Sequence, residues 1–121
     1  MKIETDILVI GAGPVGLFTV FEAGLLGLNC TLIDNLDKVG GQCSELYPEK
    51  PIYDIPGVPM QTAQEHVDAL VAQIEPFAYD LHLSQRVEAI EAVDCIEGIT
   101  TWKVTSSEGN ECITKNIFIA A

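Results

Sequence analysis

The chain has 121 residues, of which 48% are hydrophobic and 20% are charged, and its formal net charge at pH 7 is −12. This length and composition predict one folded domain at most, and the acidity argues against nucleic acid and anionic membranes as partners. No apolar stretch approaches the roughly 18 residues that span a bilayer, and the acidic N-terminus makes a poor signal peptide, so we expect a cytoplasmic protein.

The first predicted element is a strand, Asp6–Ile10, which leads directly into the glycine-rich run Gly11–Gly16. Pro14 is a favoured first helical residue and begins a helix that continues to about Leu26. Gly27 fits the C-cap of this helix. Because the helix is apolar on nearly all sides, we expect it to be covered on more than one side.

A second apolar run, Cys30–Ile33, ends in Asp34, which completes the order of a dinucleotide-binding βαβ unit. In such a unit Gly11 permits the tight turn, Gly13 lets the backbone approach a pyrophosphate, and Gly16 lets the helix lie close to the sheet. The helix N-terminus faces the phosphates, and Asp34 accepts hydrogen bonds from a ribose. The competing interpretations are glycines that only make turns and a solvated acid at a strand end.

Residues 35–61 show no clear periodicity and contain four prolines and the pair Gly40-Gly41. Structureless loops longer than about 12–15 residues are uncommon in compact domains and are usually either functional or disordered. The apolar residues here favour an ordered loop that wraps over something rather than disorder. They are Tyr47, Ile52, Tyr53, Ile55, Val58 and Met60.

The second half of the chain begins with a capping box, Thr62–Glu65, and a helix that ends before Pro76. The apolar face of this helix is Val67, Leu70, Val71 and Ile74. The strands predicted next are Tyr79–Leu83, Val87–Val93, Thr101–Thr105 and Cys112–Lys115. Turns at Glu97-Gly98 and Glu108-Gly109-Asn110 predict a small antiparallel meander. The final apolar run, Asn116–Ala121, suits a buried parallel strand.

The four cysteines include no CxxC pair and have no histidine at ligand spacing, so neither a zinc site nor a disulfide framework is predicted. Cys30 is interpreted as a small core residue. His66 and His82 are interpreted as incidental, and Trp102 as packing within the meander.

The identity of the nucleotide is only partly determined by these residues. Asp34 argues against a 2′-phosphate, which would favour an arginine at this position. NAD and FAD both remain open on physical grounds alone. The order of the elements favours the flavin type, because NAD-binding units typically continue with further βα units.

The sequence GGQCSELYPEKPIYDIPG, residues 40–57, resembles the flavin-covering loop of ferredoxin–NADP reductases of the thioredoxin-reductase-like type (type 2). GAGPVGLF near the start and IFIAA at the end also match that family. The resemblance implies an α/β fold: a Rossmann-like FAD-binding domain of three layers, made of a parallel sheet, helices and a small antiparallel β-meander. Members of the family are about three times this length. Residues 1–121 are therefore expected to be the N-terminal part of the FAD-binding domain, without the NADPH domain and the returning C-terminal segment.

The resemblance also implies roles for individual positions. The residues it assigns to the FAD pyrophosphate are Gly11, Gly13, Pro14 and Gly16. Asp34 is assigned to the adenosine ribose, and the backbone of Val87 to the adenine. Gln42 and Tyr47 are assigned to the flavin half, Asp54 to the ribityl chain or ring, and Ala121 to the vicinity of the cofactor. Gly41 is expected to bind the cofactor as well. An ordinary half-buried aromatic at Tyr47 and a turn or N-capping acid at Asp54 are the competing interpretations.

The reaction implied by the resemblance is hydride transfer from NADPH to FAD, followed by single-electron transfers to ferredoxin or flavodoxin. No residue here is needed as an acid or base, so no catalytic residue is predicted. We do not expect the fragment alone to catalyse this reaction. Ferredoxins are acidic and the chain carries a charge of −12. A basic docking patch must therefore lie mostly outside these residues, or the partner differs.

Cys43 lies where disulfide reductases of the glutathione-reductase type carry the first cysteine of a redox pair. The second cysteine would fall on Pro48, which excludes dithiol chemistry at this loop, so Cys43 is interpreted as a small buried residue near the cofactor. Two alternatives stay open: a thioredoxin-reductase-like flavoprotein with another acceptor, and a non-catalytic dinucleotide-binding or interaction domain. Apolar surface exposed on an incomplete domain favours self-association, for example as a homodimer.

Overall fold

The alternation of strand and helix signals near the N-terminus produces a mixed sheet with helices on one face, as seen in a computed structural model that describes residues 2–121. The strands are β1 (Lys2–Ile10), β2 (Cys30–Ile33), β3 (Pro51–Ile52), β4 (Gln61–Thr62), β5 (Tyr79–His82), β6 (Val87–Ile96), β7 (Ile99–Ser106) and β8 (Glu111–Ile119). The helices are α1 (Pro14–Leu25), α2 (Gln42–Glu45) and α3 (Ala63–Ile74).

The main sheet has the strand order β5-β2-β1-β8-β7-β6. β5, β2, β1 and β8 are parallel, whereas β8, β7 and β6 form an antiparallel meander. Alternate residues of β1 point to opposite faces. Val9 joins the core cluster formed with α1 and α3, and Leu8 joins the cluster formed with the meander residues Val104 and Cys112. The predicted α/β fold of three layers is confirmed.

The meander differs from the prediction at its last strand. The two strands expected at Cys112–Lys115 and Asn116–Ala121 are one continuous strand, β8, which pairs with β1 along both halves and with β7 only along its first half. The predicted burial of the second half is wrong for Phe118 and Ile119, which are 48% and 74% exposed. β7 leaves β8 after Thr114, so the described residues cover one edge of this half only.

The two long helices pack side by side on the sheet. α3 begins with the predicted capping box, in which the Thr62 hydroxyl accepts from the Glu65 N–H at 3.1 Å and the Glu65 carboxylate accepts from the Thr62 N–H at 2.9 Å. α1 buries Leu17 and Val20 against the sheet and α3. The expectation that α1 is covered on more than one side is only partly met, because one flank is exposed. Its exposed apolar residues are Val15, Phe18 and Leu25.

The long loop is ordered, as predicted, and contains α2 and the β3–β4 hairpin. It is fastened at both ends. The Gly40 N–H donates to the carbonyl of Ala12 at 2.8 Å, and the N–H groups of Ala63 and Gln64 donate to carbonyls of the loop. No helix among residues 2–121 is long and apolar enough to cross a membrane. All four cysteines are free, and no cluster of metal-binding side chains occurs within residues 2–121.

The β6–β7 turn gives a prediction about stability. Ile96 pairs with Ile99, and the two residues between them, Glu97 and Gly98, have φ of 54° and 81°. A two-residue hairpin turn with two positive φ values strongly favours Asn-Gly. We expect Glu97→Asn to raise the free energy of unfolding by about 0.5–1 kcal/mol, because asparagine tolerates this backbone better than glutamate.

Urea denaturation of both proteins measures this difference. Glu97→Gln is the matched control, since it removes the same charge without the left-handed preference of asparagine. Equal stabilisation by both variants would show that charge, not the turn, limits stability here.

Candidate functional site

A cleft of about 720 Å³ opens where the carboxyl ends of β1 and β2 meet the long loop. Small-molecule sites in proteins occupy about 300–1,000 Å³. Nine of the eleven residues predicted to bind a cofactor line this cleft, and they are Gly11, Gly13, Pro14, Asp34, Gly41, Gln42, Tyr47, Val87 and Ala121. The fold therefore brings together residues that are up to 110 positions apart in the chain, from Gly11 to Ala121.

The turn between β1 and α1 forms the floor of the cleft. Gly11 has φ of +111°, and a side chain there would collide with the backbone of Ala120 on the neighbouring strand. The Gly11 N–H donates to the carbonyl of Ile33 at 2.8 Å, and the Ala120 N–H donates to the carbonyl of Ile10 at 2.7 Å. Only glycine combines this conformation with so close an approach.

Gly13 and Gly16 differ in what surrounds them. A Cβ atom at Gly13 would meet only the Cα atom of Gly41, at 3.8 Å, and would otherwise point into open space. A Cβ atom at Gly16 would overlap the carbonyl oxygen of Gly11. Gly16 is buried behind the cleft and does not line it. A glycine is needed at position 16 so that α1 can pack closely on the turn. The absence of a side chain at Gly13 leaves its backbone accessible from the cleft.

No side chain among residues 2–121 accepts a hydrogen bond from the N–H groups at the N-terminus of α1. Gly13 is the N-cap residue and supplies no side chain, and no acidic residue occurs in the first turn of the helix. Pro14 has no N–H group, so the N–H groups of Val15 and Gly16 are the donors that lack a side-chain cap. Such a terminus favours a negatively charged group.

Asp34 fastens the turn as well as lining the cleft. Its Oδ2 accepts a hydrogen bond from the Ala12 N–H at 2.7 Å, and its Oδ1 accepts one from the Leu36 N–H at 2.8 Å. Each carboxylate oxygen retains a further lone pair, so both can still accept a hydrogen bond from a ligand. A structural role for Asp34 and a role in binding are therefore compatible.

The opposite end of the cleft is formed by α2 and Tyr47. The pKa of the Tyr47 phenol is raised, first by its electrostatic interaction with the neighbouring Cys43 and then by desolvation. The Nζ atom of Lys50 lies 5.1 Å from the centre of the Tyr47 ring, in a cation–π contact. Cys43 lines the cleft but is half-buried rather than buried as expected.

The structure separates Asp54 from the other predicted residues. Asp54 is exposed in the loop between β3 and β4 and is not among the residues that line the cleft. Sequence reasoning missed Gln85 and Arg86, which line the cleft beside Val87. No motif marks them; their position directly before Val87 was the only available signal.

The charge of the cleft contrasts with that of the whole chain. The lining contains one acid, Asp34, and one base, Arg86, although the chain carries 18 acids and six bases. The guanidinium of Arg86 lies 3.1 Å from the carboxylate of Glu88, and both groups are largely exposed. The cleft is thus much closer to neutral than the surface around it.

Comparison with known proteins finds ferredoxin–NADP reductases among the sequence relatives. The chain is 51% identical to ferredoxin–NADP reductase 1 of Cupriavidus metallidurans and 56% identical to the ferredoxin–NADP reductase of Bradyrhizobium sp. (strain BTAi1), in both cases over 98% of its length. It spans about a third of these relatives, 33% and 34% respectively. No protein-family profile matches the chain. The predicted resemblance to ferredoxin–NADP reductases is confirmed.

Solved structures confirm the fold. Thioredoxin reductase from Streptococcus pyogenes superimposes with a TM-score of 0.80 at 21% identity, covering 98% of this chain and 35% of that structure. Thioredoxin reductase from Lactococcus lactis gives a TM-score of 0.78 at 22% identity, with coverage of 95% and 34%. At this identity the likeness concerns the fold alone.

Substitution by alanine should reduce stability much more at Gly16 than at Gly13. Gly16→Ala places a Cβ atom against the Gly11 carbonyl oxygen, and we expect the free energy of unfolding to fall by about 2–3 kcal/mol. Gly13→Ala meets no obstruction, so we expect only the cost of losing a glycine N-cap, less than about 1 kcal/mol. Chemical denaturation followed by circular dichroism measures both. A Gly16→Ala variant as stable as Gly13→Ala would contradict the close approach of α1 to the turn.

Proposed function

We propose that residues 1–121 form the FAD-binding portion of a flavoprotein oxidoreductase, and that the complete protein passes electrons from NADPH through FAD to ferredoxin or flavodoxin. The observation that carries the proposal is the meeting of two glycine turns, at Gly13 and Gly41, beside an uncapped helix N-terminus and the carboxylate of Asp34. The sequence relatives, which are named ferredoxin–NADP reductases, support the assignment of the reaction.

The cleft fits a dinucleotide on physical grounds. The space above Gly13 is where a Cβ atom of any other residue would stand, so this glycine lets a pyrophosphate contact the backbone directly. The donors at the start of α1 offset the negative charge of the phosphates. Asp34, with one free lone pair on each oxygen, suits the hydroxyl groups of a ribose.

The chain itself binds and orients rather than reacts. In this proposal Gly11, Gly13 and α1 hold the pyrophosphate, and Asp34 holds the ribose, with Val87 against the adenine. Gln42 and Tyr47 flank the flavin half, where the Tyr47 hydroxyl can donate a hydrogen bond. FAD, when bound, supplies the exchange between two-electron and one-electron carriers. No side chain of the cleft is assigned a proton-transfer step.

The choice of electron acceptor rests on the sequence relatives. Thioredoxin reductases share the fold at 21–22% identity, whereas the relatives at 51–56% identity are named ferredoxin–NADP reductases. Ferredoxin or flavodoxin is therefore the acceptor we propose for the complete protein. The cytoplasmic location and the homodimer stay predictions from the sequence.

The test is a visible absorbance spectrum of the purified chain after incubation with excess FAD and dialysis. We expect flavin bands in stoichiometric amount. Gly13→Ala should retain markedly less flavin, with a Kd raised about tenfold, because its Cβ atom occupies the space needed by the pyrophosphate; tenfold corresponds to about 1.4 kcal/mol.

Glu97→Gln, in a turn remote from the cleft, is the control and should retain flavin like the wild type. Circular dichroism establishes whether each protein is folded. A folded but colourless wild-type chain would overturn the proposal that these residues bind FAD on their own.

A further inference from the structure

We propose that Gln85 is a positioning residue that makes the cleft selective for the adenosine half of its ligand. This inference rests on the proposed function, in which the ligand is FAD. Gln85 belongs to residues 84–87, called here the wall segment, three of whose members, Gln85, Arg86 and Val87, line the cleft. Its side chain connects this wall to the meander on the other side of the sheet.

The side chain of Gln85 accepts two hydrogen bonds through one oxygen. Its Oε1 accepts from the hydroxyl of Ser106 at 2.8 Å and from the Nδ2 group of Asn110 at 3.0 Å. Ser106 is buried and ends β7, and Asn110 lies just before β8. The Ser106 N–H donates to the Asn110 carbonyl at 2.9 Å, which closes the turn that presents both donors. Gln85 is thus held by a preformed pair of groups.

The backbone of the wall segment is held from both sides. The Gln85 N–H donates to the carbonyl of Asp34 at 3.0 Å, and the Ser84 N–H donates to the carbonyl of Leu36 at 2.8 Å. On the meander side, the Arg86 N–H donates to the Ser107 hydroxyl at 3.0 Å, and the Ser107 N–H donates to the Arg86 carbonyl at 2.8 Å.

The backbone of this segment also stores strain. Ser84 has φ of 55°, a left-handed conformation that is unfavourable for a residue other than glycine and persists only where its surroundings fix it. Hydrogen bonds with the residues that follow β2 and with the β7–β8 turn provide that constraint. Without the support of the Gln85 side chain, we expect the wall segment to relax away from the cleft.

A small cavity lies behind the wall at Gln85. The cavity measures about 20 Å³, and Gln85 is one of its lining residues, together with Ser106 and Asn110. Two further groups in its lining, the Thr31 hydroxyl and the His82 Nε2 atom, are buried without a hydrogen-bond partner among the described residues. Packing behind Gln85 is therefore incomplete, so its two side-chain hydrogen bonds add to the backbone hydrogen bonds that position the wall.

The wall segment bounds only one end of the cleft. It is bonded to the Asp34 end, whereas Gln42 and Tyr47 lie on or beside α2. Displacement of the wall should therefore weaken the binding of ligands that carry an adenosine diphosphate and leave the binding of ligands that lack it unchanged. A general loss of stability would weaken all ligands alike, which separates positioning from a merely structural role.

The experiment compares Gln85→Leu with the wild-type chain by calorimetric titration of FAD, ADP and FMN. Leucine has a similar size and no charge but cannot accept a hydrogen bond. We expect the Kd values for FAD and ADP to rise about tenfold, the scale of one lost net hydrogen bond or slightly more, and the response to FMN to stay within twofold. Gln73→Leu, at an exposed position of α3, is the matched control and should change none of these values.

A double-mutant cycle tests whether Ser106 and Asn110 are the groups through which Gln85 acts. The variant with both Ser106→Ala and Asn110→Ala should weaken ADP about as much as Gln85→Leu, and the triple variant should add no more than about twofold.

Three outcomes would count against the inference. ADP binding by Gln85→Leu that equals the wild type overturns it while leaving the proposed function intact. Equal losses for ADP and FMN assign Gln85 a purely structural role and also overturn it. A wild-type chain that binds neither FAD nor ADP overturns the proposed function and the inference together.

Discussion

The shape of the cleft depends on two hydrogen bonds made by the backbone of Ala12. The Ala12 N–H donates to the Asp34 carboxylate at 2.7 Å, and its carbonyl accepts from the Gly40 N–H at 2.8 Å. Ala12 is completely buried. One residue therefore joins the first βα turn, the end of β2 and the start of the long loop. Because buried peptide groups without partners are costly, these three segments hold one another in place before any ligand binds.

The βαβ unit and its acid could be predicted from the sequence because their signals are local. The glycine spacing and the apolar run that ends in an acid are both short-range patterns, and together they predicted a binding role for Asp34, which lines the cleft. Gln85 could not be found in this way. Its partners, Ser106 and Asn110, lie 21 and 25 residues away, and only the register of β7 and β8 brings them to it.

The end of β8 shows a different limit of sequence reasoning. A continuous apolar run is typical of a parallel strand buried on both faces, and residues 116–119 do form a parallel strand beside β1. Burial, however, depends on neighbours that the run itself does not specify. Among residues 2–121, β7 covers the free edge of β8 only as far as Thr114, so Phe118 and Ile119 remain exposed. Asp54 illustrates the same point, since its distance from the cleft follows from the course of a loop without periodicity.

The two ends of the cleft are built with unequal rigidity, and this follows from what each is attached to. The Asp34 end is formed by the end of a buried strand and by the wall segment, which is hydrogen-bonded both to the residues that follow β2 and to the meander turn. The other end is formed by α2, a helix of four residues, and by Tyr47, whose ring is in a cation–π contact with Lys50. Few buried contacts and short elements make for low local stability. The Asp34 end of the cleft thus stands on a more extensively hydrogen-bonded part of the fold than the α2 end.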